Sequence, residues 1–340
     1  MAGKPPIISI ITPSYNRVHE IKYLYNSLKN QSVNFDLFEF IISDDGSTDN
    51  TKEIVQNWQK ESDFLIKIIS QSNQGPGAAR NHGLQIATGE LILFIDSDCE
   101  AHPDWLKNIY QEYIKDTFDA FGGPDSAKDD FTVLQKAIDF SMTSFLTTGG
   151  MRGHSEKMLA KFFPRTHNMG IKRSIFDEIG GFGSLRHGQD IEYSNRIRKS
   201  GFRIKFLIDA TVYHRRRTSI KQFFKQVYNW GVARVNLGKI DSDMLELIHF
   251  FPAITILFIT ICFVLFQESF IQLFIILFIP LCLLALYGSF KKKDIRVFFY
   301  LLPVVPSQIF GYGLGFIQAF VRRFILGQKE IVGFKKNYYK

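Results

Sequence analysis

Three uninterrupted stretches near the C-terminal end carry no Asp, Glu, Lys or Arg: residues 247–266, 269–290 and 297–321, of 20, 22 and 25 residues. A helix needs about 20 predominantly apolar residues to cross a bilayer. One such run also fits a buried core helix, but three in succession exceed what a soluble core absorbs. They predict a membrane region. Charge follows the same division. After Glu246 there are ten Lys/Arg and three Asp/Glu, so residues 1–246 keep 31 of the 41 basic and 30 of the 33 acidic residues. The basic excess therefore belongs to the apolar tail, which suits membrane lipids. It argues against a nucleic-acid partner, for which the basic stripe lies on the folded part. The cysteines, Cys99, Cys262 and Cys282, are too few and too scattered for a disulfide framework, and no CxxC pair suggests zinc.

Met1–Pro6 is short and polar, and the apolar run at 7–11 is too brief for a signal core. The expected location is a multi-pass protein of the cell membrane with its N-terminal part in the cytosol. Lys291, Lys292, Lys293 and Arg296 separate the second and third apolar stretches. Two crossings return the chain to the cytosol there, in agreement with the positive-inside rule. The third stretch contains Pro303, Pro306, Gly311, Gly313 and Gly315, and six basic residues follow it. A third crossing would put those six outside. A re-entrant hairpin broken near Pro306–Gly315 keeps them inside, if protein shields its bent backbone, and is the expectation here.

The first 246 residues read as an α/β unit. Apolar runs at 7–11, 38–42, 66–69 and 91–95 alternate with helix patterns around 18–28, 51–60 and 78–87. Short strands alternating with helices of about ten residues suggest a mainly parallel, Rossmann-like sheet. Ligands of such folds sit at the carboxyl ends of the strands. Those ends read Thr12-Pro13-Ser14-Tyr15-Asn16, then Asp44-Asp45-Gly46-Ser47-Thr48-Asp49, then Asn73-Gln74-Gly75-Pro76-Gly77-Ala78-Ala79-Arg80-Asn81, then Asp96-Ser97-Asp98. There is no Walker A sequence, and Arg80 stands where a dinucleotide fingerprint wants glycine. Asn50 and Glu53 read as a helix cap, which leaves Asp44 and Asp45 unexplained. Gly75–Gly77 is either an ordinary turn or a phosphate loop. Asp96 and Asp98 repel at a buried strand end unless a cation lies between them. Carboxylates together with substrate phosphates are the ligands that Mg²⁺ and Mn²⁺ take.

In this order the motifs resemble glycosyltransferase family 2, of the GT-A fold, over residues 7–230. Asp96-Ser97-Asp98 is similar to the family's Asp-X-Asp, and Asn168-Met169-Gly170, Gly180-Gly181-Phe182, Gly188-Gln189-Asp190 and Val212-Tyr213-His214 are similar to its acceptor half. The resemblance implies a nucleotide-binding half (1–100) and an acceptor half (101–214), followed by a linker (215–243) and a membrane region (244–340). It further implies roles by position. Thr12, Pro13 and Tyr15 line the nucleotide pocket. Asp45, with Asp44 beside it, accepts hydrogen bonds from base or ribose. Arg80 lies by the nucleotide or its diphosphate, and Asp98 holds Mn²⁺ or Mg²⁺ with Asp96 helping. Asp190 matches the catalytic base. Gln189 departs from the usual Glu-Asp pair, and the acceptor contacts implied for Asn168 and Gln189 depend on that departure. His214 is either a further metal or diphosphate contact or a packed strand-end residue. Asp190 opens the helix pattern 190–199, whose N-terminus favours the ionised carboxylate a base needs.

Residues 211–240 contain seven Lys/Arg and no acid after Asp209, with apolar residues at near-helical spacing. This reads as a basic amphipathic helix on the bilayer or, in the alternative, as a helix packed on the catalytic unit. Gln226–Trp230 resembles the Gln-X-X-Arg-Trp acceptor motif, which marks Trp230; Asn229 replaces the arginine, so processive synthesis is not expected. The implied activity is inverting transfer from a nucleotide-sugar donor to a lipid-linked or cell-envelope glycan acceptor. A polyprenyl-phosphate glycosyltransferase and an inactive membrane scaffold are the alternatives.

Overall fold

The computed structural model describes residues 5–128, 130–149, 161–265, 270–330 and 333. Strands β1 (Ile8–Ser14), β2 (Phe38–Asp44), β3 (Leu65–Ser70) and β4 (Leu91–Phe94) pair in parallel in the order β3-β2-β1-β4. They are joined by helices α1 (Val18–Lys29), α2 (Thr51–Glu61) and α3 (Pro76–Ile86). The central strands are apolar on both faces because helices cover both. Ile8, Ile10, Phe38, Phe40, Leu91 and Leu93 face one core with Leu24, Leu28 and Trp105. Ile11, Ile41, Ile92 and Phe94, displaced by one residue, face the other with Leu84, Ile171 and Tyr193. Each such side chain contributes roughly 1.5–3 kcal/mol on full burial. α1 buries Ile21, Leu24, Tyr25 and Leu28 at helical spacing, and Tyr25 stacks on Trp58 of α2 with ring centroids 4.1 Å apart.

The chain then builds β5 (Cys99–Ala101), α4 (Trp105–Ile114), β6 (Ala120–Gly122), β7 (Asp125–Ser126), α5 (Val133–Thr143), α6 (Phe145–Thr148), β8 (Met169–Lys172), α7 (Arg173–Ile179), α8 (Gln189–Lys199), β9 (Ile204–Phe206) and β10 (Val212–His214). β8 inserts antiparallel between β4 and β6, and β9 closes the seven-stranded sheet. A second sheet, β5-β10-β7, sets His214 opposite Cys99.

Four helices follow: α9 (Ile220–Ile240), α10 (Phe251–Leu265), α11 (Phe270–Lys291) and α12 (Arg296–Phe320), the last continuing as a wider turn over Val321–Ile325. Among the described residues, three segments are long and apolar enough to cross a membrane: Leu247–Leu265, Ile271–Lys291 and Arg296–Ile325. The broken hairpin expected in the third stretch is not what forms. α12 is one helix with Pro303 and Pro306 inside it. Its glycines are contacts rather than breaks. A Cβ on Gly311 would lie 2.5 Å from the Val227 side chain, one on Gly315 would lie 2.2 Å from the Tyr228 carbonyl oxygen, and one on Gly231 of α9 would lie 2.1 Å from the Tyr312 carbonyl oxygen. Small residues spaced by four let helix backbones approach closely, and α9 and α12 run side by side on that seam.

The flat bilayer helix expected over 215–243 is corrected in the same way. Lys221 and Lys225 are exposed, but residues 231–237 are buried on every side, between α8, α10 and α12. α5 joins this assembly: Ile138 and Phe140 pack with Phe223 and Val227 of α9 and with Leu301 and Val304 of α12. Replacing Gly315 by leucine is expected to destabilise the protein by about 1–3 kcal/mol, the cost of overpacking a tight seam. Thermal unfolding of the full chain in detergent measures this, and an unchanged midpoint would show that the seam has slack.

Candidate active site

The parallel order reverses between β1 and β4, so a crevice opens at their carboxyl ends. Its walls are tied by side chains from the sequence motifs. The Thr12 hydroxyl donates to the Ile95 carbonyl at 3.0 Å, joining the two loops. Asn16, at φ +51°, accepts from the Thr48 amide at 2.8 Å. Asp44 is buried and accepts from the Ser47 amide at 3.2 Å. Asp45 accepts from Gln71 Nε2 (2.7 Å), the Gln74 amide (2.9 Å) and the Gly75 amide (2.8 Å). Thr12, Asp44 and Asp45 thus shape the pocket by holding loops. Pro13 and Tyr15 are half-buried at the rim. Arg80 reaches across from α3 to Asp96, Nη2 to Oδ1 2.5 Å, and its buried Nε has no partner among the described residues.

Asp98 stands in the turn between β4 and β5, and β10 brings His214 to it, Nε2 to Oδ1 3.3 Å. Arg17 Nη1 lies 3.7 Å from the other Asp98 oxygen. Burial alone would raise the Asp98 pKa; His214, Arg17 and Arg217 overcome it and hold the carboxyl far below the usual carboxylate range. Burial likewise opposes the charged form of His214, yet Asp98 and Asp125 raise its pKa. The carboxylate of Asp98 suits Mn²⁺ or Mg²⁺ in kind, whereas the imidazole of His214 suits a softer ion than Mg²⁺. Cys99 Sγ is nearby, but burial pushes its thiol well up, which keeps the proton on sulfur. Asp96 is paired with Arg80 and is not among the groups of His, Cys, Asp and Glu that converge around His214.

Behind His214 runs a line of alternating charges. Its Nδ1 lies 3.4 Å from Asp125, Asp125 lies 2.5 Å from Arg216, Arg216 lies 2.7 Å from Asp139 of α5, and Asp139 lies 2.5 Å from Lys292 between α11 and α12. His167 stacks on the His214 ring at 5.1 Å. Arg216 and its two acids are at most 2% exposed at the side chain. Arg216→Met leaves two buried carboxylates short of a partner, and removing one member of a buried pair costs about 3–5 kcal/mol. A loss below about 1 kcal/mol in thermal unfolding, the range of a surface pair, would contradict this account.

Asp190 is the second residue of α8, following Gly188 at φ +81°. Its Oδ1 accepts from the Ile191 amide at 3.0 Å and its Oδ2 lies 3.5 Å from Arg165. Burial pushes its pKa up, but Arg165, that amide, Arg80 and His167 together hold it below the ordinary value. Gln189 packs over Gly77 of α3, where a Cβ would come within 2.4 Å of its amide, so α8 is docked directly on the glycine turn of the donor side.

One expected acceptor residue is committed elsewhere, and a second is partly buried. Asn168 is fully buried and spends its amide on Trp105 Nε1 (3.0 Å) and the carbonyls of Pro124 (2.9 Å) and Ala210 (2.6 Å), so it is a structural clamp. Trp230 packs on the apolar cluster of α5, α9 and α12. Residues that sequence reasoning passed over are Arg17, Asp125, Arg165, His167 and Arg216. The only signal was Arg216 within the run Arg215–Arg217 after His214; the others come from separate loops.

The family model for "Glycosyl transferase family 2" matches residues 9–180, just over half of the chain. "Glycosyltransferase AglE" of Haloferax volcanii is 26% identical over 261 residues, 74% of this chain and 84% of that protein. The "GalNAc(5)-diNAcBac-PP-undecaprenol beta-1,3-glucosyltransferase" of Campylobacter jejuni is 36% identical over 118 residues, 34% of this chain and 38% of that one. Among solved structures, the mannosyltransferase PcManGT of Pyrobaculum calidifontis, in complex with GDP-Man and Mn²⁺, aligns with a TM-score of 0.61 at 17% identity, over 90% of this chain and 88% of that one. S. aureus TarS 1-349 aligns at 0.51 and 21%, over 94% and 92%. At these identities the structural likeness concerns the fold.

Proposed function

The chain belongs to glycosyl transferase family 2, and from that premise we propose that it moves a sugar from a nucleotide-sugar donor to a lipid-linked or cell-envelope glycan acceptor at a membrane, with Mn²⁺ or Mg²⁺ on the donor diphosphate. The fold is GT-A-like, a mainly parallel sheet with a helical C-terminal region. The observation that carries the reading is the nearness of two acidic centres: Asp98 faces His214, the His214 ring stacks on His167, and His167 and Arg80 both act on Asp190 at the start of α8. Relatives named for an undecaprenol-linked glycan and a neighbour holding GDP-Man with Mn²⁺ support the substrate classes.

Asp98 and His214 would hold the metal, which supplies positive charge against the departing diphosphate. Arg80, kept in place by Asp96, adds a guanidinium on the same side. Asp190 takes the proton of the acceptor hydroxyl as that oxygen attacks the anomeric carbon and the bond to the diphosphate breaks. One displacement of this kind inverts the anomeric configuration, and no second carboxylate nucleophile is needed. Loops pinned by Asp45 and Thr12 keep the donor pocket preformed, so little ordering is left for binding.

A cytosolic catalytic unit and a multi-pass tail complete the proposal. Lys292 bonds to Asp139 of the catalytic unit, which supports two crossings, α10 and α11, that return the chain to the same side. α12 then lies along α9, and near its far end the Phe324 ring sits 4.7 Å from Lys239. The turn before α12 thus touches Asp139 of the catalytic unit and the turn after it touches Lys239 of α9, which supports Arg322 and Arg323 staying on that side without a hairpin. The experiment is a panel of UDP-, GDP- and dTDP-sugars with the full chain, scored for metal-dependent hydrolysis and for transfer to lipid-linked acceptors. Absence of any metal-dependent turnover across the panel would sink the proposal.

A further inference from the structure

Beside Asp190 stand one guanidinium that is paired with it and one that has no ion pair. Arg165 lies 3.5 Å from Asp190 and is about a quarter exposed. α9 is brought to the same place by Leu237, one turn beyond Arg234: a Cβ on Gly188 would lie 2.8 Å from the Leu237 side chain. Arg234, on α9, is 8% exposed and donates from Nη1 to the Met244 carbonyl at 2.8 Å. Among the described residues Arg234 forms no ion pair within 4 Å; the charges that act on it from farther off are Arg165 and Asp190, with Tyr312 of α12 beside it. Burying a cation without its own counter-charge is costly, and the fold nevertheless places one here. Donor-side charges are accounted for separately, since Arg80 is paired with Asp96. The surplus positive charge lies where the crevice meets the apolar helices, between Met244 and Tyr312.

We infer that Arg165 and Arg234 seat a phosphate carried by the lipid-linked acceptor, close to the hydroxyl that Asp190 deprotonates. This rests on the reading of Asp190 as the acceptor-side base. Guanidinium groups bind phosphate oxygens in forked pairs, and the flanking helices α9, α10 and α12 offer an apolar wall to the lipid. The phosphate takes over from Asp190 as the counter-ion of Arg165, which leaves the carboxylate free to accept the hydroxyl proton. The seat therefore selects acceptors whose phosphate lies within about one sugar of the attacked oxygen.

The test uses the full chain in phosphatidylcholine nanodiscs with EDTA, and farnesyl diphosphate against farnesol as probes. The diphosphate is expected to bind at least about tenfold more tightly than the alcohol. Arg234→Gln and Arg165→Gln should each remove about tenfold or more of that affinity, with Arg234→Lys intermediate. The outward Arg296→Gln should leave it unchanged, and Asp190→Asn, which removes the competing counter-ion, should tighten it. Should Arg234→Gln fail to fold, the partly exposed Arg165→Gln carries the same comparison. Nanodiscs of phosphatidylglycerol separate the sources of phosphate: retained probe affinity supports an acceptor seat, and complete displacement assigns the seat to a phospholipid headgroup and overturns it. Equal binding of both probes, or a loss confined to metal-dependent donor binding, also overturns it. Failure of the base reading looks different, because Asp190→Asn would then keep full transfer while probe binding stays sensitive to both arginines.

Discussion

Asp98→Asn is expected to leave a folded protein whose sugar transfer falls by at least about a thousandfold, the scale on which charge stabilisation at a leaving group operates. The substitution keeps size and shape at the turn between β4 and β5 but removes the negative charge that faces His214 at 3.3 Å. His214 keeps Asp125 at 3.4 Å, so the ring stays oriented and the small sheet survives. The matching measurements are Mn²⁺ affinity by electron paramagnetic resonance and initial rates over a metal titration. The pH dependence of stability gives an independent sign. The folded-state pKa of Asp98 is depressed, so its contribution is present above the unfolded value of about 4 and is lost as pH falls toward the folded one. The variant should therefore show a shallower loss of stability on acidification. Undiminished turnover of the folded variant, or of wild type in excess EDTA, would refute the metal assignment.

Asp190→Asn is expected to lower transfer to a hydroxyl acceptor by about 10²–10⁴-fold, the usual contribution of a general base, with donor affinity kept. Asp190 is held by the Ile191 amide and faced by Arg165, whereas Asp98 and Arg80 lie on the donor side. An asparagine retains the bond to the amide and removes the proton acceptor. Titration with nucleotide sugar beside single-turnover transfer separates the two effects. A collapse of donor affinity would make Asp190 a donor-site residue instead.

The donor half was legible in the sequence because its signals are local. Ile8–Ile11, Phe38–Ile42 and Leu91–Phe94 are buried runs whose two faces alternate by one residue, and Asp44 and Asp96 stand two residues beyond the second and third of them. What escaped is long-range or depends on shape. Gly311, Gly313 and Gly315 are breakers by composition, yet each faces a neighbouring helix at a distance no side chain fits. Asn168 has the look of a binding residue until its amide is found committed to Trp105, Pro124 and Ala210. Lys292 and Asp139 are 153 residues apart, and no local pattern announces their meeting. Arg165 and Asp190 likewise meet at 3.5 Å from segments 25 residues apart, and Leu237 of α9 reaches Gly188 only through the packing of α8 on α9.

The close seam between α9 and α12 also bears on which molecules can be served. Helices that touch backbone to backbone cannot slide or hinge without losing many contacts at once. On the proposed reading the crevice would stand at a fixed height over the lipid surface instead of swinging on a tether, and the protein would act as a gauge. A glycan whose reactive end projects too far, or not far enough, meets Asp190 out of register however good its local chemistry. Measured against a series of lipid-linked glycans of increasing length, activity should peak sharply at one length, and loosening the seam at Gly315 should broaden that peak before it abolishes activity.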